Sequence, residues 1–78
     1  MARIRYFAGA AEAAGTDEEN LDGRTVGSVL DAARAAHPGL SEVLPRCSVL
    51  VDGQYAQDPG ATIAEGAVVD VLPPFAGG

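Results

Sequence analysis

Residues 73–78 read Pro-Pro-Phe-Ala-Gly-Gly, and they hold most of the chemistry this sequence offers. Gly77 and Gly78 carry no side chain, so this end can thread a channel that any Cβ would block. The Gly78 carboxylate sits at its tip. A carboxylate is a poor electrophile, so acyl chemistry there calls for prior adenylation by a nucleotide-using partner. Pro73 and Pro74 favour an extended, polyproline-like backbone, and at about 3.1 Å per residue the six residues reach about 19 Å. Two fixed φ angles also lower the entropy lost when a partner holds the segment straight. Phe75 is a rigid aromatic anchor, with folding back onto the sheet as its alternative. A chance or frayed Gly-Gly is the competing reading of the last two residues.

Nothing else in the chain forms a self-contained site. A lone His37 and a lone Cys47 fall short of the usual metal-ligand count. His37 reads as a cap or dipole partner at a helix end, and Cys47 as a small apolar residue at a strand start. Asp17, Glu18 and Glu19 read as a solvated edge. Gly27 is isolated, so no Gly-rich phosphate loop opens a helix.

Composition narrows the class. Seventy-eight residues make one small domain, and 47% hydrophobic content suffices for a core without staples. One cysteine excludes an internal disulfide and suits a reducing, cytoplasmic setting. No apolar run is long enough for a membrane span. Eleven acidic residues against five basic ones give a net charge of −6, which argues against nucleic acid and favours a basic protein partner. All five cations are arginines (Arg3, Arg5, Arg24, Arg34, Arg46). Two readings of the missing lysine stand. One is a coding bias toward Arg and Ala; the other is a chain that donates acyl groups through Gly78 and accepts none on a side chain.

Local pattern supplies the elements that must position this end. Ile4 and Tyr6 alternate with Arg3 and Arg5 up to Phe7, which predicts a half-buried strand. Ala8 to Gly15 predicts a helical turn closed by Gly15, and Glu18 to Asp22 a weak strand. Thr25 is an N-cap, and Val26, Val29, Leu30 and Ala33 line one stripe of a helix that His37-Pro38 ends. Leu40 to Pro45 predicts a turn or short 3₁₀ piece. Cys47 to Val51 reads as a strand, turned by Asp52-Gly53 into Gln54-Tyr55-Ala56. Ala67 to Leu72 is a β-branched strand that Pro73 ends. One helix serves one face of a sheet, so the expected fold is a two-layer α+β sandwich with a mixed sheet. The last strand pairs most simply in the centre beside the first, which leaves 73–78 projecting.

The matching pieces Arg5-Tyr6-Phe7-Ala8, Gly15-Thr16, Thr25-Val26, Val49-Leu50-Val51-Asp52-Gly53, Glu65-Gly66 and Leu72 to Gly78 resemble the MoaD/ThiS family of ubiquitin-like sulfur carriers. Within that family the ending is most similar to MoaD-type small subunits of molybdopterin synthase. The resemblance implies a ubiquitin-like β-grasp over residues 1–72 and a flexible C-terminal Gly-Gly tail over 73–78. It implies that an E1-like, MoeB-like adenylyltransferase spends ATP on Gly78, and that a sulfur donor protein then leaves a thiocarboxylate there. The charged tail would enter a MoaE-like large subunit, whose side chains do the catalysis. No cofactor is bound by the chain itself, and it is not catalytic alone. Gly77 and Gly78 would carry the chemistry, while Leu72, Pro73, Pro74, Phe75 and Phe7 would dock the partner, with core packing as the alternative for Phe7. Sulfur delivery to thiamine thiazole or cysteine synthesis, and a non-catalytic interaction module, are the other expectations. The chain departs from the family at Ala11-Glu12-Ala13, at Asp52 where Asn is common, and at Ala67-Val68.

Overall fold

The alternation of residues 2–6 buries Ala2, Ile4 and Tyr6 and leaves Arg3 and Arg5 exposed, and that strand organises the sheet. The computed structural model describes residues 1–74. Its strands are β1 (Ala2–Tyr6), β2 (Glu18–Leu21), β3 (Ser48–Val51), β4 (Gln54–Tyr55) and β5 (Val68–Leu72). They form one sheet in the order β2-β1-β5-β3-β4. β1 runs parallel to β5 with Arg5 opposite Asp70 and Tyr6 opposite Val71; every other pairing is antiparallel. The last strand therefore lies in the centre beside the first, as its β-branched run requires.

Three helices cover one face: α1 (Gly9–Ala14), α2 (Val26–Ala36) and α3 (Leu40–Val43), the last continuing as a 3₁₀ turn over Leu44–Arg46. α2 is the main cover, but α1 and α3 pack on each other and share the task. Ile4, Val29, Leu40, Val69 and Val71 are the largest fully buried side chains. Each stabilises the fold by about 1.5–3 kcal/mol through apolar burial. No described helix is long and apolar enough to cross a membrane.

The ends of these elements follow from local chemistry. Gly15 closes α1 at φ 73°, with its N–H bonded to the Ala11 carbonyl, a left-handed cap that a side chain disfavours. Thr25 Oγ1 accepts from the Ser28 N–H at 3.1 Å, and Ser28 Oγ accepts from the Thr25 N–H at 3.0 Å. That reciprocal cap satisfies two amides at the start of α2. The N–H groups of Val26 and Gly27 donate to the carbonyls of Ala61 and Pro59, fastening the helix to the long loop before β5. Asp52 and Gly53 turn β3 into β4 at φ 49° and 84°, and Asp52 Oδ1 also accepts from the Val68 N–H at 3.0 Å.

His37 caps α2 and does more than end it. Its Nε2 lies 2.6 Å from Glu19 Oε2, and the Tyr6 hydroxyl donates to the same oxygen at 2.7 Å. The Tyr6 and His37 rings meet edge-on at 6.2 Å. One carboxylate thus ties β1, β2 and the end of α2 together, so Glu19 is not part of a solvated edge. Burial first, and then the bond to Glu19, push the Tyr6 phenol well above its ordinary pKa.

A raised folded-state pKa means that this preference is complete below the unfolded phenol's value, roughly 10, and is lost as pH climbs through the folded one. Denaturant midpoints are expected to fall above about pH 10. Tyr6→Phe should cost about 1 kcal/mol at neutral pH and flatten that alkaline decline. Parallel declines in the two proteins would remove Tyr6 as its source.

Candidate functional site

The centre of the sheet leads directly to the candidate site, because β5 ends at Leu72 and the chain leaves through Pro73 and Pro74. Leu72 and Pro73 are half-buried and Pro74 is exposed. Phe75, Gly77 and Gly78 lie outside the described residues. Continuing the parallel register one step beyond Tyr6–Val71 sets Phe7 beside Leu72 on the face the helices leave open. Phe7 is 37% exposed there, so it belongs to the open face and not to the core. Its N–H donates to the Val71 carbonyl at 3.1 Å, extending the ladder to the point of exit. Phe7, Leu72, Pro73 and Pro74 thus come together at one end of the sheet.

One charged pair braces this face. Arg5 Nε and Nη2 donate to the two Asp70 oxygens at 2.6 and 2.8 Å, a two-pronged pair between register partners. That hydrogen bond, and then the Asp70 charge, raise the Arg5 pKa above its ordinary value. The Arg5 guanidinium carbon lies 5.8 Å from the centre of the Phe7 ring, within cation–π range. Arg5 therefore bridges the register partner Asp70 and the Phe7 ring at the exit. Sequence reading had not joined Arg5 to Asp70; the lone carboxylate in Val-Val-Asp-Val-Leu was the available signal, once β1 and β5 are set parallel.

On the helical side a groove of about 300 Å³ runs beside the exit, lined by Glu42, Val43, Arg46, Pro73 and Pro74. Antiparallel pairing of Ser48 with Leu72 sets Cys47 next to Pro73. The Cys47 thiol donates to the Val43 carbonyl at 3.2 Å, and burial pushes its pKa up. That holds it as a protonated, weakly nucleophilic thiol. A larger recess of about 680 Å³ lies at the opposite end of the sheet, around Val51, Gln54 and Thr62, and none of Phe7, Leu72, Pro73 and Pro74 lines it.

The turn that carries Phe7 is strained. Ala8 sits at φ 49°, ψ −124°, and the Ala10 N–H closes the turn onto the Phe7 carbonyl at 3.0 Å. This is the first central position of a type II′ turn, where glycine is the usual residue. Nothing in the sequence signals it.

The ThiS family model matches residues 4–78 of this chain. None of the curated proteins compared matches the sequence. Among solved structures, SAMP1 from Haloferax volcanii is similar at 35% identity and TM-score 0.80, covering 99% of this chain and 98% of that one. The Pyrococcus furiosus protein assigned as molybdopterin converting factor, subunit 1, is similar at 25% identity and TM-score 0.84, covering 94% and 95%. A chain in the complex of subunits 1 and 2 of the molybdopterin-converting factor from Helicobacter pylori 26695 shares the fold, at 21% identity and TM-score 0.75, covering 99% of this chain and 97% of that one.

At Ala8, backbone strain of roughly 1–3 kcal/mol exceeds the roughly 0.5–1 kcal/mol of extra chain entropy that glycine loses on folding. Ala8→Gly is expected to raise the denaturant midpoint while leaving the Phe7 position intact. A lowered midpoint would show that the exposed methyl group contributes more than the strain.

Proposed function

The chain belongs to the ThiS family, and from that premise we propose that it is a sulfur carrier which serves molybdopterin synthesis through Gly78. An E1-like adenylyltransferase uses ATP to convert the Gly78 carboxylate to an acyl adenylate. The outer sulfur of a donor protein's persulfide displaces AMP to form an acyl disulfide. A thiol then attacks its S–S bond, which leaves the Gly78 thiocarboxylate and a disulfide between the thiol and the donor. The charged end then enters a large subunit of the MoaE type, which holds the pterin precursor and supplies the catalytic side chains. This chain contributes the reacting sulfur, and its net charge of −6 suits basic partner surfaces.

The observation that carries this reading is the exit itself. A central strand delivers Pro73 and Pro74 outward, with Phe7 and Leu72 on the open face beside them and Phe-Ala-Gly-Gly still to follow. The similarity to the Pyrococcus protein and the two-subunit complex of the Helicobacter relative support the choice of acceptor.

A second reading has its own support, namely 35% identity to a protein named as a small archaeal modifier. Here the activated Gly78 acylates an amine of another protein. Delivery to thiazole or cysteine synthesis uses the same thiocarboxylate and differs only in the acceptor.

Co-expression with the chain's activating enzyme and sulfur donor, followed by intact-mass measurement, separates these from an interaction module. The expected result is replacement of one oxygen by sulfur, abolished by deletion of Gly78 without loss of fold. Sulfur uptake by the deleted chain, or none by the intact one, would sink the carrier reading. Capture of a large subunit supports molybdopterin, whereas Gly-Gly remnants on lysines of other proteins support the modifier.

A further inference from the structure

We propose that this chain is inert toward its own activated carboxyl, donating the acyl or sulfur group at Gly78 while offering it no competent acceptor. The inference rests on the reading that Gly78 is activated, and it asks what protects such an end once it is made. An acyl adenylate or thioester is consumed fastest by amines and thiols. Attack by a neutral amine forms a C–N bond and breaks the bond to the leaving group, which departs with its electron pair and takes up the amine's proton. A carrier bearing surface lysines close to its own tail would cyclise or link to its copies this way.

The nucleophiles of this chain make a short inventory. It has no lysine, and all five of its cations are arginines. A guanidinium stays protonated at any working pH and presents no free lone pair. Arg5, next to the exit, is held further in that state by Asp70. The α-amine of Met1 is ion-paired with Glu65, and the Met1 carbonyl accepts from the Gly66 N–H at 2.8 Å. Parallel pairing puts Met1 at the Val68 end of β5, whereas the tail leaves past Leu72. Continuing that register sets Met1 opposite Gly66, six residue steps from Leu72. At about 3.3 Å per step that is about 20 Å, about the full reach of residues 73–78.

The thiol, the imidazole and one of the two phenols are engaged. The Cys47 thiol, the one nearest the exit, is turned to the Val43 carbonyl. The His37 ring and the Tyr6 hydroxyl both address Glu19. Hydroxyl groups without an adjacent base are much weaker nucleophiles than amines. The inertness therefore has two parts: what the sequence omits, and where the fold holds what is left. A corollary for the modifier reading is that adducts made with this chain stop at one copy, because a second copy finds no lysine on the first.

The test prepares Gly78 as an alkyl thioester by thiol cleavage of a C-terminal self-splicing fusion, without the activating enzyme. Its failure is thereby distinguishable from failure of the carrier reading. The thioester is incubated at about pH 8, then exposed to excess thiol, which reverses thioesters and leaves amides. Intact mass reads hydrolysed, cyclised and linked species. The native chain is expected to hydrolyse. Arg46→Lys, which sets one amine in the groove beside Pro73 and Pro74, should form amides at least about tenfold faster through its high local concentration. Arg46→Gln, which removes the charge and adds no amine, should behave as native. The proposal is overturned if the native chain forms amides as fast as Arg46→Lys, or if the lysine variant forms them no faster than native.

Discussion

Pairing of the first strand with the last is the constraint on which the rest depends. Ile4 and Val69 are register partners, as are Tyr6 and Val71, and all four are buried under the helices. Their burial fixes the register, since a slip by one residue would turn Arg3, Arg5 and Asp70 inward. The same register brings Arg5 onto Asp70 and Phe7 beside Leu72. The core and the exit are therefore two faces of one pairing, and a change that loosens one is felt at the other.

Much of this was legible from residue order. The apolar stripe of α2 is buried at Val26, Val29 and Ala33, with Leu30 at its margin. Thr25, Gly15, His37-Pro38 and Asp52-Gly53 end or start elements where their chemistry says they should. The central placement of β5 beside β1 followed from its β-branched run, and the α+β sandwich from having one main helix. The ThiS/MoaD resemblance agrees with the family match, and it concerns the fold and class of the chain more than its acceptor.

What was not legible is long-range or conformational. Glu19 lies 13 residues from Tyr6 and 18 from His37, and no periodicity links them. A run of three acids looks solvated until the fold closes a histidine and a phenol onto one of them. Leu40 to Pro45 reads as a turn or short 3₁₀ piece; the 3₁₀ turn is present over Leu44–Arg46, and the α-helical turn before it forms where Leu40 is fully buried and Leu44 nearly so. Tertiary packing overrides weak local signals there. Phe7 had two readings, and the face it occupies was decided by β-strand parity. Ala8 adopts a glycine-like conformation because the chain must turn sharply from β1 into α1.

Closing the sheet so late in the chain shapes how the molecule comes into being. Arg5 and Asp70 are 65 residues apart, and the parallel ladder between their strands cannot form until nearly everything between them exists. Contacts this distant slow folding and make it cooperative. A polypeptide released before Val68 lacks Val69 and Val71, and its remaining strands fall into two pairs, β1 with β2 and β3 with β4, that no longer touch through β5. Such a fragment has no finished core to shield it from proteases. Quality control over synthesis is thereby built into topology: chains that acquire the native surface are those already extended through β5.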